Sequence, residues 1–179
     1  MATTGRSQAA VGSGQHLRRQ PEHPRVSTRL HHLALPVSDL ELSVDWYERV
    51  LGAEVTRRTD VDDADLRAGR TRQAWLAVGS VVVNLAEGRA VRREEDQHFF
   101  HYALSADGDL DGWLRHLGDT GADVVGVYGH GGLSFVSVYL DDPDGYRWEV
   151  VVDYPSFEAA RTAALRHGGV LGNPMTSYE

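Results

Sequence analysis

The chain has 179 residues, and its 18 basic residues are all arginine, with no lysine and no cysteine. Those absences exclude a lysine base or Schiff base, a thiol nucleophile, a disulfide framework and any thiolate metal site. A formal charge of −8 has the wrong sign for a nucleic-acid partner. No apolar run nears the ~20 residues that cross a bilayer, so no membrane partner is expected. No apolar signal segment opens the chain, and the expected location is cytoplasmic.

Residues 1–27 are rich in Gly, Ser, Gln and Arg, which predicts a flexible leader that carries His16 and His23. The run Leu30-His31-His32-Leu33-Ala34-Leu35-Pro36-Val37 reads as a strand. Ser38 and Glu41 have capping-box spacing. Leu40, Val44, Tyr47 and Leu51 then share a helical face, and Gly52 stops the helix. A strand over 53–59, a polar loop over 60–71, and strands near 72–78 and 81–86 joined by Gly79-Ser80 follow. The order then repeats. A strand is predicted over Phe99–Leu104, a helix with Leu110, Trp113, Leu114 and Leu117 on one side, strands near 123–129, 133–141 and 146–152, and a tail helix over 156–167 with Phe157, Ala160, Ala164 and Leu165 toward the body.

The repeat holds one register. His32, Ala34 and Leu35 match His101, Ala103 and Leu104 at an offset of 69, and Gly52, Ala53 and Val55 match Gly121, Ala122 and Val124 at the same offset. The fold class implied is α+β, with two tandem βαβββ modules (28–88 and 98–153) forming a curved mixed sheet around a cleft within a domain over 28–153, followed by a helix and tail over 154–179. His32 and His101 thereby become equivalent positions. Glu149 follows the Asp142-Pro143-Asp144-Gly145 turn signal and sits among apolar strand residues, a costly place for an acid unless it is paired or bound to metal. Two imidazoles and one carboxylate make a facial triad that suits Fe(II), with Mn, Zn or Ni as alternatives.

The segments His32-Leu33-Ala34-Leu35-Pro36-Val37-Ser38-Asp39-Leu40, His101-Tyr102-Ala103-Leu104 and Asp142–Glu149 resemble the vicinal oxygen chelate superfamily, which includes glyoxalase I, methylmalonyl-CoA epimerase, fosfomycin-resistance thiol transferases, bleomycin-binding proteins and extradiol catechol dioxygenases. The resemblance covers residues 29–153 and implies a divalent metal on His32, His101 and Glu149 in a cleft between paired βαβββ modules, whether paired within one chain or between chains; a homo-oligomer is expected. A fourth ligand position of the family falls on Asn84, where glyoxalase I has an acid and the epimerase a glutamine, so Asn84 argues against both. His130 and Tyr139 stand 19 and 10 residues before Glu149, offsets similar to the catechol-pocket residues of extradiol dioxygenases. That family's further pocket histidine has no direct match here: either His98 takes its place or the acid/base role falls on His130. The reading drawn from this resemblance is an Fe(II)-dependent extradiol dioxygenase taking O2 and a small aromatic catechol such as L-DOPA. Arg57, Arg58, Arg72 and Arg147 are the candidates for the substrate carboxylate. The alternatives are a metal-dependent thiol transferase or glyoxalase-like enzyme of the fosfomycin-resistance type, and a drug-binding resistance protein.

Overall fold

The computed structural model describes residues 28–90 and 100–172, so the leader, His98, Phe99 and the last seven residues lie outside it. In the first module, β1 (Leu33–Val37), α1 (Leu40–Leu51), β2 (Glu54–Thr59), α2 (Asp63–Arg67), β3 (Gln73–Val78) and β4 (Val81–Glu87) build a sheet of order β1-β4-β3-β2. In the second, β5 (Tyr102–Ser105), α3 (Leu110–Thr120), β6 (Val124–His130), β7 (Phe135–Asp141), β8 (Arg147–Asp153), α4 (Phe157–Arg166) and β9 (Val170–Gly172) give the order β5-β8-β7-β6-β9. Both sheets are mixed, since β1 runs parallel to β4, β5 to β8 and β9 to β6.

The 69-residue repeat is a repeat of pairing. Ala34 lies opposite Asn84 as Ala103 lies opposite Glu149. Trp75 lies opposite Asn84 as Tyr139 lies opposite Glu149. The register shift between Val55 and Arg57 returns between Val124 and Gly126. Each sheet is apolar on its helix side and polar on the other, as period-2 alternation requires. Val136, Val138 and Leu140 of β7 are fully buried, whereas Ser137 and Tyr139 face the opposite way.

Four local features depart from the sequence reading. The helix cap of α1 is Asp39, which accepts from the Leu42 N–H, and not Ser38; the Ser38 N–H instead donates to both carboxylate oxygens of Asp144 at 3.1 Å. The polar loop holds the one-turn helix α2, closed by an Asp62/Asp65 capping box. Leu165 is exposed, and Ala163 turns inward with Ala160 and Ala164. Strand β9 was not anticipated, because three residues after Gly168-Gly169 carry no periodicity to read.

The two modules share one core through their helix sides. Leu35, Val37, Val44, Val83 and Leu85 of the first join Leu110, Leu117, Val136, Val138 and Trp148 of the second, and α1 packs against α3 as well as against β3 and β4. A buried chain of hydrogen bonds crosses the joint: Trp148 Nε1 donates to the Tyr47 hydroxyl (3.1 Å), which donates to Asp142 Oδ2 (2.8 Å). Asp142 Oδ1 accepts from the backbone of Asp144 and Tyr146, and the Tyr146 hydroxyl donates to the Pro36 carbonyl (2.8 Å). The turn signal over 142–145 is therefore the bolt between modules. With the helix sides joined in one core, the outward face of each sheet is the one opposite that core.

Candidate metal centre

On the outward face of the second sheet, strand alternation brings His101, Glu149, Ser137 and Tyr139 together. His101 Nε2 lies 2.8 Å from Glu149 Oε2. The other oxygen, Oε1, accepts from the Ser137 hydroxyl and from the Tyr139 hydroxyl (3.1 Å). Ser137 Oγ in turn lies 2.7 Å from His130 Nε2, and the His130 ring packs on Phe135 with centroids 4.9 Å apart. Glu149 is only 6% exposed, and its carboxylate is met directly by His101, Ser137 and Tyr139, with His130 one step further out through Ser137. Burial pushes the Tyr139 phenol well above its ordinary value, and the neighbouring Glu149 carboxylate pushes the same way, which keeps that hydroxyl a donor. Burial also lowers the His130 imidazole, against the opposing pull of Glu149.

The first sheet carries the equivalent face with different chemistry. His32 sits beside Trp75, ring centroids 5.1 Å apart, with its Nδ1 2.8 Å from His31 Nδ1. In the place of Glu149 stands Asn84, whose Nδ2 donates to Gln73 Oε1 (3.2 Å). Of the predicted ligands, the structure brings together His101 and Glu149, and it places His32 on the other module. Among the described residues no three His, Asp or Glu side chains of one chain gather to hold an ion. The donor pair nonetheless fits a divalent metal: two donors at right angles, each about 2.0–2.2 Å from one ion, lie about 3 Å apart, close to the observed spacing.

The remaining candidates divide. His130 and Tyr139 stand on the same face as Glu149 and are tied to it, Tyr139 directly and His130 through Ser137. His98 lies outside the described residues. Of the four arginines, Arg58 is exposed and paired with Glu41, and Arg72 is half-buried and paired with Glu41 and Glu87. Arg57 stands beside Trp75 in the first sheet. Arg147 is two residues from Glu149, mostly buried, and forked onto Asp141 at 2.7 and 2.8 Å. Ser137 was missed by the sequence reading, although its place two residues before Tyr139 puts it on the same strand face. Tyr47 and Asp142 were missed as a pair because their contact spans 95 positions.

A glutathione transferase FosA of Serratia marcescens is 31% identical over 153 residues, covering 84% of this chain and 96% of the relative. A lactoylglutathione lyase of Neisseria meningitidis is 31% identical over 131 residues, covering 69% and 89%. A solved FosX fosfomycin-resistance protein of Listeria monocytogenes, complexed with Mn(II) and 1S,2S-dihydroxypropylphosphonic acid, shares the fold with a TM-score of 0.60 at 14% identity, covering 74% of this chain and 98% of that one. The relatives are thus transferases and lyases, which reverses the order of the two readings above: the thiol-transferase alternative fits better than catechol cleavage, and iron gains no specific support. The model of the glyoxalase/bleomycin resistance protein/dioxygenase superfamily matches residues 29–150, and the chain belongs to that superfamily.

Proposed function

We propose that this chain is a metal-dependent transferase that joins a small thiol to a small electrophilic substrate such as an epoxide, the class to which its FosA and FosB relatives belong by name. The observation that carries the choice is the identity of Asn84. Its pairing with Ala34 and Trp75 makes it the counterpart of Glu149, so a complete site has one carboxylate where a glyoxalase-like site has two. Asparagine tied to Gln73 supplies no second acid.

The ligands would be His101 and Glu149 of one copy and His32 of a second. Each chain presents half a site on each outward face. A two-fold pairing that sets the first-module face of one copy against the second-module face of the other completes two identical sites. The ion, Mn(II) or a similar divalent metal, would supply Lewis-acid polarisation of a substrate oxygen. The chain's own residues do the rest. Ser137 and Tyr139 fix the orientation of Glu149 by satisfying Oε1, an outer layer of the kind that tunes ligand basicity. Trp75, beside His32, and Tyr128, paired with Ser137 and packed on the Tyr139 ring with centroids 5.4 Å apart, would give the cleft aromatic walls.

The test is a three-way assay on protein purified without chelator and loaded with Mn(II). The expected result is adduct formation, read by mass spectrometry, from fosfomycin with glutathione or L-cysteine. Turnover of the methylglyoxal–glutathione hemithioacetal alone would return the chain to the lyases, and oxygen uptake with L-DOPA would restore the dioxygenase reading.

A further inference from the structure

The polarity of the hydrogen bonds around Ser137 fixes the state of a residue outside the ligand set. A carboxylate only accepts, and a serine hydroxyl carries one hydrogen. Ser137 donates that hydrogen to Glu149 Oε1. Toward His130, Ser137 Oγ can therefore only accept, and the hydrogen in the 2.7 Å contact belongs to His130 Nε2. In a neutral imidazole the other nitrogen, Nδ1, then carries a lone pair. Nδ1 has no hydrogen-bond partner among the described residues. His130 is also well fixed. It closes β6, its ring rests on Phe135, and the turn after it is set by Gly132 at φ +78°.

We infer that His130 is the proton acceptor of this cleft, locked by Ser137 as the Nε2–H tautomer with Nδ1 open to the S–H of an incoming thiol. The inference rests on the thiol-transfer reading and assigns a base that the ligand set does not provide. The step balances. The S–H bond breaks with its proton passing to Nδ1, and the sulfur electron pair forms a bond to an epoxide carbon. The carbon–oxygen bond opens with its pair on oxygen, and that oxygen takes the proton that the imidazolium gives up. No oxidant or reductant is consumed. Among the described residues the titratable groups facing His130 are Glu149 and His101, which act in opposite directions on its protonation; its neighbours Ser137 and Phe135 on β7 do not titrate.

Two measurements test this. Long-range 1H–15N correlation spectra of the labelled protein are expected to show His130 protonated at Nε2 and bare at Nδ1, and Ser137→Ala is expected to shift it to a mixture of tautomers. Nδ1–H in the wild type, or no change in Ser137→Ala, would overturn the assignment. In the fosfomycin–glutathione assay, His130→Gln keeps a donor for Ser137 but has no basic nitrogen. It is expected to lower kcat by roughly 100-fold, leave KM within about twofold, and flatten the acid limb of the pH profile. An unchanged kcat would refute the base. If the wild type turns over no thiol–epoxide pair, the thiol-transfer reading fails and the thiol role of His130 with it, whereas the tautomer spectra judge the hydrogen-bond polarity independently.

Discussion

The two outward faces descend from one pattern and differ where chemistry would be done. Position by position, His32 answers to His101, Asn84 to Glu149, Trp75 to Tyr139, Gln73 to Ser137 and Arg57 to Gly126. The second face has a buried carboxylate wired to an imidazole, two hydroxyls and, at one remove, a second imidazole. The first has an amide pair and an indole around one exposed histidine. The lesson is a division of labour: one copy of the repeat carries the buried carboxylate, and the other carries an amide pair, an indole and a histidine at the matching positions. Nothing in the shared backbone forces the difference, because the bulge, the pairing and the helix stops at Gly52 and Gly121 are common to both.

The sharpest way to break this comparison is to exchange the consequences of its two central positions. Glu149→Gln is expected to weaken Mn(II) binding at least 100-fold by calorimetry, a larger effect than the 10- to 100-fold losses typical when outer-layer partners of ligands are removed. Asn84→Ala is expected to change it less than about threefold. Equal effects would end the claim that the faces have specialised.

Mixing variants then asks whether the halves belong to different copies. His32→Ala and Glu149→Gln are each expected to be inactive alone. Co-refolded in equal amounts, they are expected to regain about a quarter of wild-type activity, because half the dimers are mixed and each of those has one intact site of two. A site built within one chain would regain none.

A smaller effect probes the joint between modules. Burial pushes the Asp142 carboxyl up to about 6, although the hydrogen bond from Tyr47 pulls the other way. The folded state therefore holds this proton more tightly than the unfolded chain. The associated stability is complete below the ordinary Asp range near 4 and is lost as pH rises through about 6. Urea melts are expected to show stability from this group falling by roughly 2–3 kcal/mol across that window, and Asp142→Asn should remove the slope. Tyr47→Phe leaves Trp148 Nε1 and Asp142 Oδ2 without their partner and is expected to cost about 1–3 kcal/mol. The smallest effect should be common to both modules: Asp39→Ala and Asp109→Ala each remove a helix cap and should each cost about 1 kcal/mol in thermal melts.

The repeat was legible because it rests on short-range signals: glycine stops, apolar faces and the 69-residue register of His32 and His101. Glu149 was legible as an acid out of place in an apolar strand. What escaped depends on distance along the chain. Asp142 looked like a turn residue, and only the fold reveals that it reaches Tyr47. Ser38 looked like a cap until the structure gave its N–H to Asp144, more than a hundred residues away. Period-2 alternation could have named Ser137, since it faces with Tyr139, but its task is visible only once Glu149 and His130 are seen on either side. The choice between dioxygenase and transferase turned on loop offsets that two unrelated chemistries can share, and the named relatives favour the transferase.

The sheets also face a hazard unrelated to chemistry, since an outer strand with unpaired backbone groups invites other chains to add to it. The first sheet ends on β2, whose Glu54, Arg57 and Arg58 put charge along the rim. The second ends on β9, a three-residue strand laid parallel to β6, too short to template further growth. Gly169 makes that closure possible: a side chain there would come within 2.7 Å of the Ala164 carbonyl, so the return from α4 to the sheet accepts only glycine. Trimming the chain after α4 would therefore lay bare the whole edge of β6 and make the second module, not the first, the part of this protein most prone to aggregate.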